Sequence, residues 1–348
     1  MPILAKPSTI LQMHTAILGT DFKSVSLDVL EKLYFDHERI KAFHKELPKD
    51  VPVSEWVILS TCNRMEIYFA CEDVDYTFKW LIRYLANYCK VDAQILEKVS
   101  YKMNCHEAVN HLFHVAAGTE SMVYGESEIL GQIKDAYFHS AESQMTGPYM
   151  NKVFQLAISA GKRVRDETAI SKGSYSISSI AVEAIRKRLN NDTNISILLI
   201  GVGIMTQRAL KKLQALGYNN VYVTNRTQEK AEVFAQEEEL TVIPFREWKS
   251  KMPEMDVLYF ATRTAVPLIY SDDLVHLEKK PIIVDVGVPR NVESDCSKYS
   301  TLISIDSLED VAKETQKNRL GEKDHIDQIL DQVKSDFQQW YSYKQAHV

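Results

Sequence analysis

The hydrophobic pattern changes character along the chain, and the changes divide it. Early on, the apolar positions of LQMHTAIL (11–18) alternate as in a strand with one buried face. EWVILS (55–60) and MEIYFA (65–70) are two more short strands, with TCNR between them. SLDVLEKLYFDHERIKAFHKEL (26–47) carries apolar residues at helical spacing, with Ser26 placed as its N-cap, and DYTFKWLIRYLANYC (75–89) repeats that spacing. The order β-α-β-β-α predicts a split βαβ, α+β domain. A more helical stretch follows, from about His106 to Asn190.

From Ile195 the period is lost. ISILLI is a continuous apolar run of strand length, the mark of a strand covered on both faces. GVGIMT turns, RALKKLQALG is a helix ending at Gly217, and NVYVTN, DVLYFAT and PIIVDVG supply further strands. This alternation predicts a doubly wound α/β domain. The segment from Ser307 to Val348 is polar and periodic, one long helix or two, with Gly321 leaving that open. The expected division is 1–160, 161–305 and 306–348.

Composition narrows the class. A chain of 348 residues exceeds one ordinary core, because domains run about 100–200 residues. The hydrophobic share of 45% and charged share of 25% are those of a water-soluble globular protein, and no apolar run reaches the roughly 18–20 residues of a membrane span. No secretory signal is read at the N-terminus. The five cysteines are scattered, with no C-x-x-C pair, which argues against a disulfide framework or structural zinc and for a reducing cytoplasm. The net charge of −6 argues against a protein that coats nucleic acid but leaves room for a local basic patch.

Two segments carry candidate chemistry. Gly201-Val202-Gly203-Ile204-Met205-Thr206 follows a strand and opens a helix. Gly201 permits the tight turn, and Gly203 lets a pyrophosphate approach the helix N-terminus, where free N–H groups and the helix dipole favour anions. Thr206 replaces the usual third glycine. At the end of the next strand Asn225 and Arg226 stand where an NAD site would place a carboxylate. A guanidinium there can hold a 2′-phosphate, so NADPH is expected; the alternative is a solvated loop arginine. The second segment is Ser60-Thr61-Cys62-Asn63-Arg64-Met65-Glu66, at the end of an apolar strand. If the chain stays extended, Arg64 lies near the Cys62 thiol and favours its thiolate. On residue type alone a lone cysteine is more often a small buried hydrophobe.

STCNR-x-E resembles the catalytic segment of the glutamyl-tRNA reductases. The stretch from His111 to Gln132, HLFHVAAGTESMVYGESEILGQ, resembles that family's second motif, and the resemblance spans roughly residues 10–340. It implies an N-terminal ferredoxin-like catalytic domain, a Rossmann-like NADPH domain and the start of a long spinal helix, here with a shortened dimerisation segment. It implies that Cys62 forms a thioester with the glutamate of glutamyl-tRNA(Glu), and that NADPH reduces it to glutamate-1-semialdehyde, the first step of tetrapyrrole synthesis. Thr61, Asn63, Arg64, Ser121, Glu126, Ser127, Glu128 and Gln132 would line the substrate pocket, Arg64 pairing with a substrate carboxylate, and His111 would act as acid/base or orienting group. The pair His111 and His114 is not read as a metal site, since no Cys or carboxylate cluster completes it in sequence. The implied partners are the charged tRNA, a second copy of the chain and an aminotransferase receiving the product. Thr119-Glu120 and Ser127-Glu128 depart from the family's usual Leu-Asp and Pro-Gln. Two basic runs, Lys162-Arg163-Val164-Arg165 and Arg186-Lys187-Arg188, are candidates for tRNA phosphates or else solvated helix faces. Other readings are a reductase of another acyl thioester and a non-catalytic paralogue that binds NADPH or tRNA.

Overall fold

A computed structural model describes residues 13–170, 176–264, 266–308 and 320–347. By internal contacts the chain forms two units: one of residues 1–121, 127–172 and 319–348, the other of 122–126 and 173–318.

The first unit is built on four antiparallel strands: β1 (His14–Asp21), β2 (Glu55–Ser60), β3 (Arg64–Cys71) and β4 (Tyr101–Asn104), in the order β2-β3-β1-β4. Helices α1 (Leu27–Lys32), α2 (His37–Lys45), α3 (Val74–Cys89) and α4 (Ala93–Val99) complete a ferredoxin-like arrangement. One face of the sheet buries Ala16, Leu18, Trp56, Ile58, Ile67 and Phe69 with Phe78, Leu81, Ile82 and Leu85 of α3. The single helix expected over 26–47 is two. Ser26 sits at the first N-cap without a side-chain bond, and the Asp36 side chain accepts from the Arg39 amide, starting a second helix. The periodic pattern runs through both, which hides the break. β4, four residues long, carries too little pattern to be read in sequence.

The segment after β4 folds into α5 (Cys105–Ala117), α6 (Glu128–Glu142) and α7 (Pro148–Glu167), with α7 running through the expected junction at residue 160. The C-terminal helix Lys323–Ala346 follows a short 3₁₀ turn containing Gly321. It buries Ile326, Ile329, Leu330, Val333, Phe337 and Tyr341, packing on α5 and α7. Tyr341 and Gln345 both donate to the carbonyl of Met13, tying the helix to the start of β1. Its outer side presents Asp324, Gln328, Asp331, Ser335, Gln338 and Gln339, a polar face.

The second unit is a six-stranded, all-parallel sheet: β5 (Ile197–Ile200), β6 (Val221–Thr224), β7 (Thr241–Val242), β8 (Val257–Phe260), β9 (Ile282–Asp285) and β10 (Leu302–Ser304), ordered β10-β9-β8-β5-β6-β7. That is the doubly wound dinucleotide-binding order. The central strands are buried on both faces, as their unbroken apolar runs predict. Helices α8 (Ile177–Arg188), α9 (Ile204–Ala215) and α10 (Gln228–Glu238) flank the sheet. α9 ends as expected: Gly217 adopts φ +86° and the Tyr218 amide returns to the Leu213 carbonyl.

Candidate active site

β2 and β3 close on a two-residue hairpin turn, Cys62-Asn63. The Thr61 amide donates to the Arg64 carbonyl at 2.9 Å, and the Thr61 hydroxyl accepts from the amides of Asn63 and Arg64 at 3.1 and 3.2 Å. Threonine therefore holds the turn by side-chain-to-backbone bonds. Cys62 is half-buried at its tip. The chain does not stay extended through this segment, so the sequence-based route from Arg64 to the thiol is replaced by a turn.

Alternation along β3 puts Arg64, Glu66 and Tyr68 on one face. Arg64 and Glu66 are fully buried and paired, with Arg64 Nη1 2.6 Å from Glu66 Oε1. His111 Nε2 lies 2.8 Å from the same oxygen, the Tyr101 hydroxyl donates to it, and the Tyr68 hydroxyl donates to Oε2 at 2.6 Å. Arg64 Nη2 donates to the Glu120 carbonyl at 2.5 Å. Burial alone would push the Glu66 carboxyl up; the Arg64 guanidinium, with His111, outweighs it and holds that carboxyl well below the usual carboxylate range. The same carboxylate and burial hold the Tyr68 and Tyr101 hydroxyls protonated, their pKa values pushed well up.

Tyr101 reaches Glu66 from two strands away, passing over β1. It can do so because the residue beneath is Gly19, paired with Glu66 on one side and Tyr101 on the other. A Cβ on Gly19 would lie 2.4 Å from the Tyr101 ring. A glycine inside a strand often marks such a close approach. Tyr101 and Gly19 escape a sequence search for reactive residues, and Glu66 stands there only as the last residue of the STCNR-x-E segment, with no role of its own. The legible signal was the alternation Arg64-x-Glu66-x-Tyr68 in an otherwise apolar strand.

The remaining expected residues divide. Among the described residues, Asn63 Oδ1 and Ser121 Oγ are buried side-chain oxygens without a hydrogen-bond partner. Ser127 is the N-cap position of α6 and Gln132 is half-buried on that helix. Glu128 lies in the first turn of α6, where the helix dipole favours a carboxylate. Glu126 belongs to the second unit. Of the departures from the family pattern, Thr119 bonds His114 at Nδ1 and at its carbonyl, and the Glu120 carboxylate pairs with Lys23 at 3.0 Å. Burial pushes the pKa of His114 down, which favours its neutral form. Among the described residues no cluster of three His, Cys, Asp or Glu is arranged for a metal.

The expected basic runs are largely tied up. Arg163 pairs with Glu167 and reaches Gln332, and Arg165 donates to the Ala116 and Gly161 carbonyls. Arg186 pairs with Glu183, and Arg188 donates to the Ala184 carbonyl.

In the second unit Gly201 takes φ +108°, and a Cβ there would meet Thr262 at 2.8 Å and the Ala261 carbonyl at 2.9 Å. Gly203 is the N-cap of α9, and among the described residues no atom beyond its immediate chain neighbourhood lies within 4 Å of where its Cβ would stand. The first turn of α9 thus has no side-chain cap and opens to a ligand, a cradle fitted to a pyrophosphate. Val202 is half-buried, Ile204 exposed, and Thr206 fully buried at the third glycine's place. Asn225 Nδ2 donates to the Thr227 carbonyl, and Arg226 is exposed just beyond β6.

A ferredoxin-like unit with a cysteine at a hairpin tip, joined to a dinucleotide-binding unit, defines a two-domain oxidoreductase. The family model described as "Glutamyl-tRNAGlu reductase, N-terminal domain" matches residues 18–168, and "Shikimate / quinate 5-dehydrogenase" matches 183–311. A glutamyl-tRNA reductase of Carboxydothermus hydrogenoformans is 32% identical over 95% of this chain and 75% of its own length. One from Trichlorobacter lovleyi is 33% identical over 94% and 77%. The solved glutamyl-tRNA reductase of Methanopyrus kandleri superposes with TM-score 0.51 at 29% identity, covering 93% of this chain and 79% of that one. The chain belongs to the glutamyl-tRNA reductase family.

Proposed function

We propose that this chain reduces glutamyl-tRNA to glutamate-1-semialdehyde with NADPH, through a thioester on Cys62. The observation that carries this is the half-buried cysteine at the tip of the hairpin that leads directly into the Arg64–Glu66–His111 network. The Cys62 thiolate attacks the ester carbonyl, the ester C–O bond breaks, and the tRNA leaves as its ribose hydroxyl after taking a proton. His111 is suited to that transfer. The ionised Glu66 only accepts, so Nε2 carries the ring proton and Nδ1 is the nitrogen that would take the Cys62 thiol proton as the thiolate forms and return it to the departing ribose oxygen. Arg64, engaged with Glu66 and the Glu120 carbonyl, positions the carboxylate rather than facing the substrate alone. The unpartnered oxygens of Asn63 and Ser121 are the pocket's ready acceptors. Gln132, Ser127, Glu128 and Glu126 follow as further pocket residues on the family pattern.

The turn Gly201–Thr206 would hold the pyrophosphate, and Asn225 and Arg226 the 2′-phosphate. NADPH, when bound there, supplies the hydride that takes the thioester to the aldehyde and frees Cys62 as its thiolate. The reading places the enzyme in the cytoplasm; among the described residues no helix is long and apolar enough to cross a membrane. It includes a homodimer, and hand-over of the reactive amino-aldehyde to an aminotransferase.

The test is NADPH oxidation with glutamyl-tRNA. Wild type should turn over and Cys62→Ser should not, because a serine ester is slower to form and harder to reduce. Equal activity in the two would sink covalent catalysis at Cys62.

A further inference from the structure

The solvent side of α3 carries a pattern that the active site does not use. Tyr76, Trp80, Tyr84 and Tyr88 recur every four residues and form one row along the helix. Tyr76 is 55% exposed, and the other three are half-buried. Trp80 and Tyr84 are stacked, with centroids 4.8 Å apart and planes 14° from parallel. Beside this row run Lys79, Arg83 and Asn87, with Lys90 at the helix end, all exposed. Among the described residues no carboxylate pairs with Lys79, Arg83 or Lys90. This contrasts with the arginines of α7 and α8, several of which are held by their own helix or by a neighbour.

At the C-terminal end of the row lies an open cleft of roughly 580 Å³, lined by Arg39, Glu46, Tyr84, Asn87 and Tyr88. That volume falls within the range of small-ligand sites. The Arg39 guanidinium lies over the Phe35 ring at 4.6 Å and the Tyr88 ring at 5.5 Å. Through Phe35 the cleft adjoins the end of β2. Tyr88 stacks on Phe35 at 5.8 Å and 13°, and the Phe35 amide donates to the Ser60 hydroxyl at 2.9 Å, two residues before Cys62.

We propose that this face of α3 and its cleft hold single-stranded RNA, namely the unpaired 3′ end of the charged tRNA. The inference rests on the proposed function. An ester delivered to Cys62 is attached to the last nucleotide of that end, so the preceding nucleotides must cross the surface near the hairpin tip. Aromatic rings in a row with cations beside them are the chemistry that binds unpaired nucleotides: bases stack on the rings, and Lys79, Arg83 and Lys90 meet phosphates. Glu46, the carboxylate of the cleft, and the Asn87 amide can take exocyclic amino groups of a splayed base.

The experiment compares Arg83→Glu and Asn87→Ala, both surface changes, with Tyr84→Leu and wild type, in two assays. One is reduction of glutamyl-tRNA; the other is acylation of Cys62 by a small activated glutamyl thioester that has no RNA. In Arg83→Glu and Tyr84→Leu the KM for glutamyl-tRNA should rise about five- to tenfold, with kcat little changed and a shallower salt dependence for Arg83→Glu. Acylation by the small thioester should stay at the wild-type rate in all three. A short oligoribonucleotide with the tRNA's 3′ sequence should inhibit wild type competitively and the variants less. Wild-type KM values in all three variants would overturn the surface assignment while leaving the reductase reading intact. A wild-type enzyme that never reduces glutamyl-tRNA would overturn that reading instead. Equal loss in both assays would mark α3 as structural and reject the RNA role.

Discussion

Among the described residues, the most deeply buried carboxylates of the two units behave in opposite ways. Glu66, in the first unit, lies against a guanidinium, an imidazole and two phenols, and its pKa is driven down despite burial. Asp285 ends β9 in the second unit and is 4% exposed. It accepts from the amides of Gly287, Asn291 and Val292 and from Asn291 Nδ2, all neutral donors. Burial there outweighs those hydrogen bonds and pushes the carboxyl up to about 7. A full set of neutral N–H donors thus does not substitute for one buried cation. The first arrangement fixes a permanent anion that orients a histidine. The second latches the loop 285–292 while remaining able to take a proton near neutrality.

The comparison can be broken at its strongest point first. Arg64→Met leaves Glu66 buried with its counter-ion removed and should cost about 3–5 kcal/mol of unfolding free energy, whereas Arg64→Met with Glu66→Gln should recover much of it. Chemical denaturation of the three proteins reads this. An equal loss in the single and double variants would mean that the charge pairing is not what matters.

The pH dependence should differ between units, with opposite signs. The folded value of Glu66 is depressed, so its contribution is complete above its unfolded value of about 4.3 and is lost as pH falls toward the folded value. The folded value of Asp285 is raised, so its contribution is complete below about 3.9 and is lost as pH rises through about 7, a swing on the order of 4 kcal/mol. Hydrogen exchange of β3 and β9 amides, corrected for intrinsic rates, separates the two. Asp285→Asn should abolish the β9 dependence and leave that of β3 unchanged.

Smaller effects sharpen the account of the site. Gly19→Ala should destabilise by about 1–3 kcal/mol by driving Tyr101 from Glu66. Tyr101→Phe, which loses only the hydroxyl, should cost nearer 1 kcal/mol. A larger loss in Tyr101→Phe would contradict the packing argument. Arg226→Gln should raise the KM for NADPH several-fold and leave that for NADH nearly unchanged; equal changes would remove its role toward the 2′-phosphate.

The sequence reveals what depends on period and local motif. The continuous runs of β5, β8 and β9 and the glycines at 201 and 203 announced the doubly wound unit, because a strand covered on both faces and a phosphate-binding turn each leave a local signature. Cys62 and its neighbours were legible through a motif. The break at Asp36 was hidden by periodicity on both sides of it. β4 was too short to pattern, and with it Tyr101 was lost. Glu66 was legible as part of the motif but its role was not, since that depends on Arg64 beside it, Tyr101 across Gly19 and His111 from α5. The charge state of Asp285 depends on burial outweighing the hydrogen bonds of the 285–292 loop, which leaves no local signature. The partners of the basic runs were not legible, because a sequence does not show that an arginine will turn back onto its own helix's carbonyls, as Arg165 does.

The most direct test of the central claim is to mix the enzyme with glutamyl-tRNA in the absence of NADPH and examine the peptide that carries Cys62 by mass spectrometry. A glutamyl adduct on that cysteine, discharged when NADPH is added with release of the aldehyde, is the predicted result. Aldehyde formed at full rate with Cys62 never acylated would contradict it.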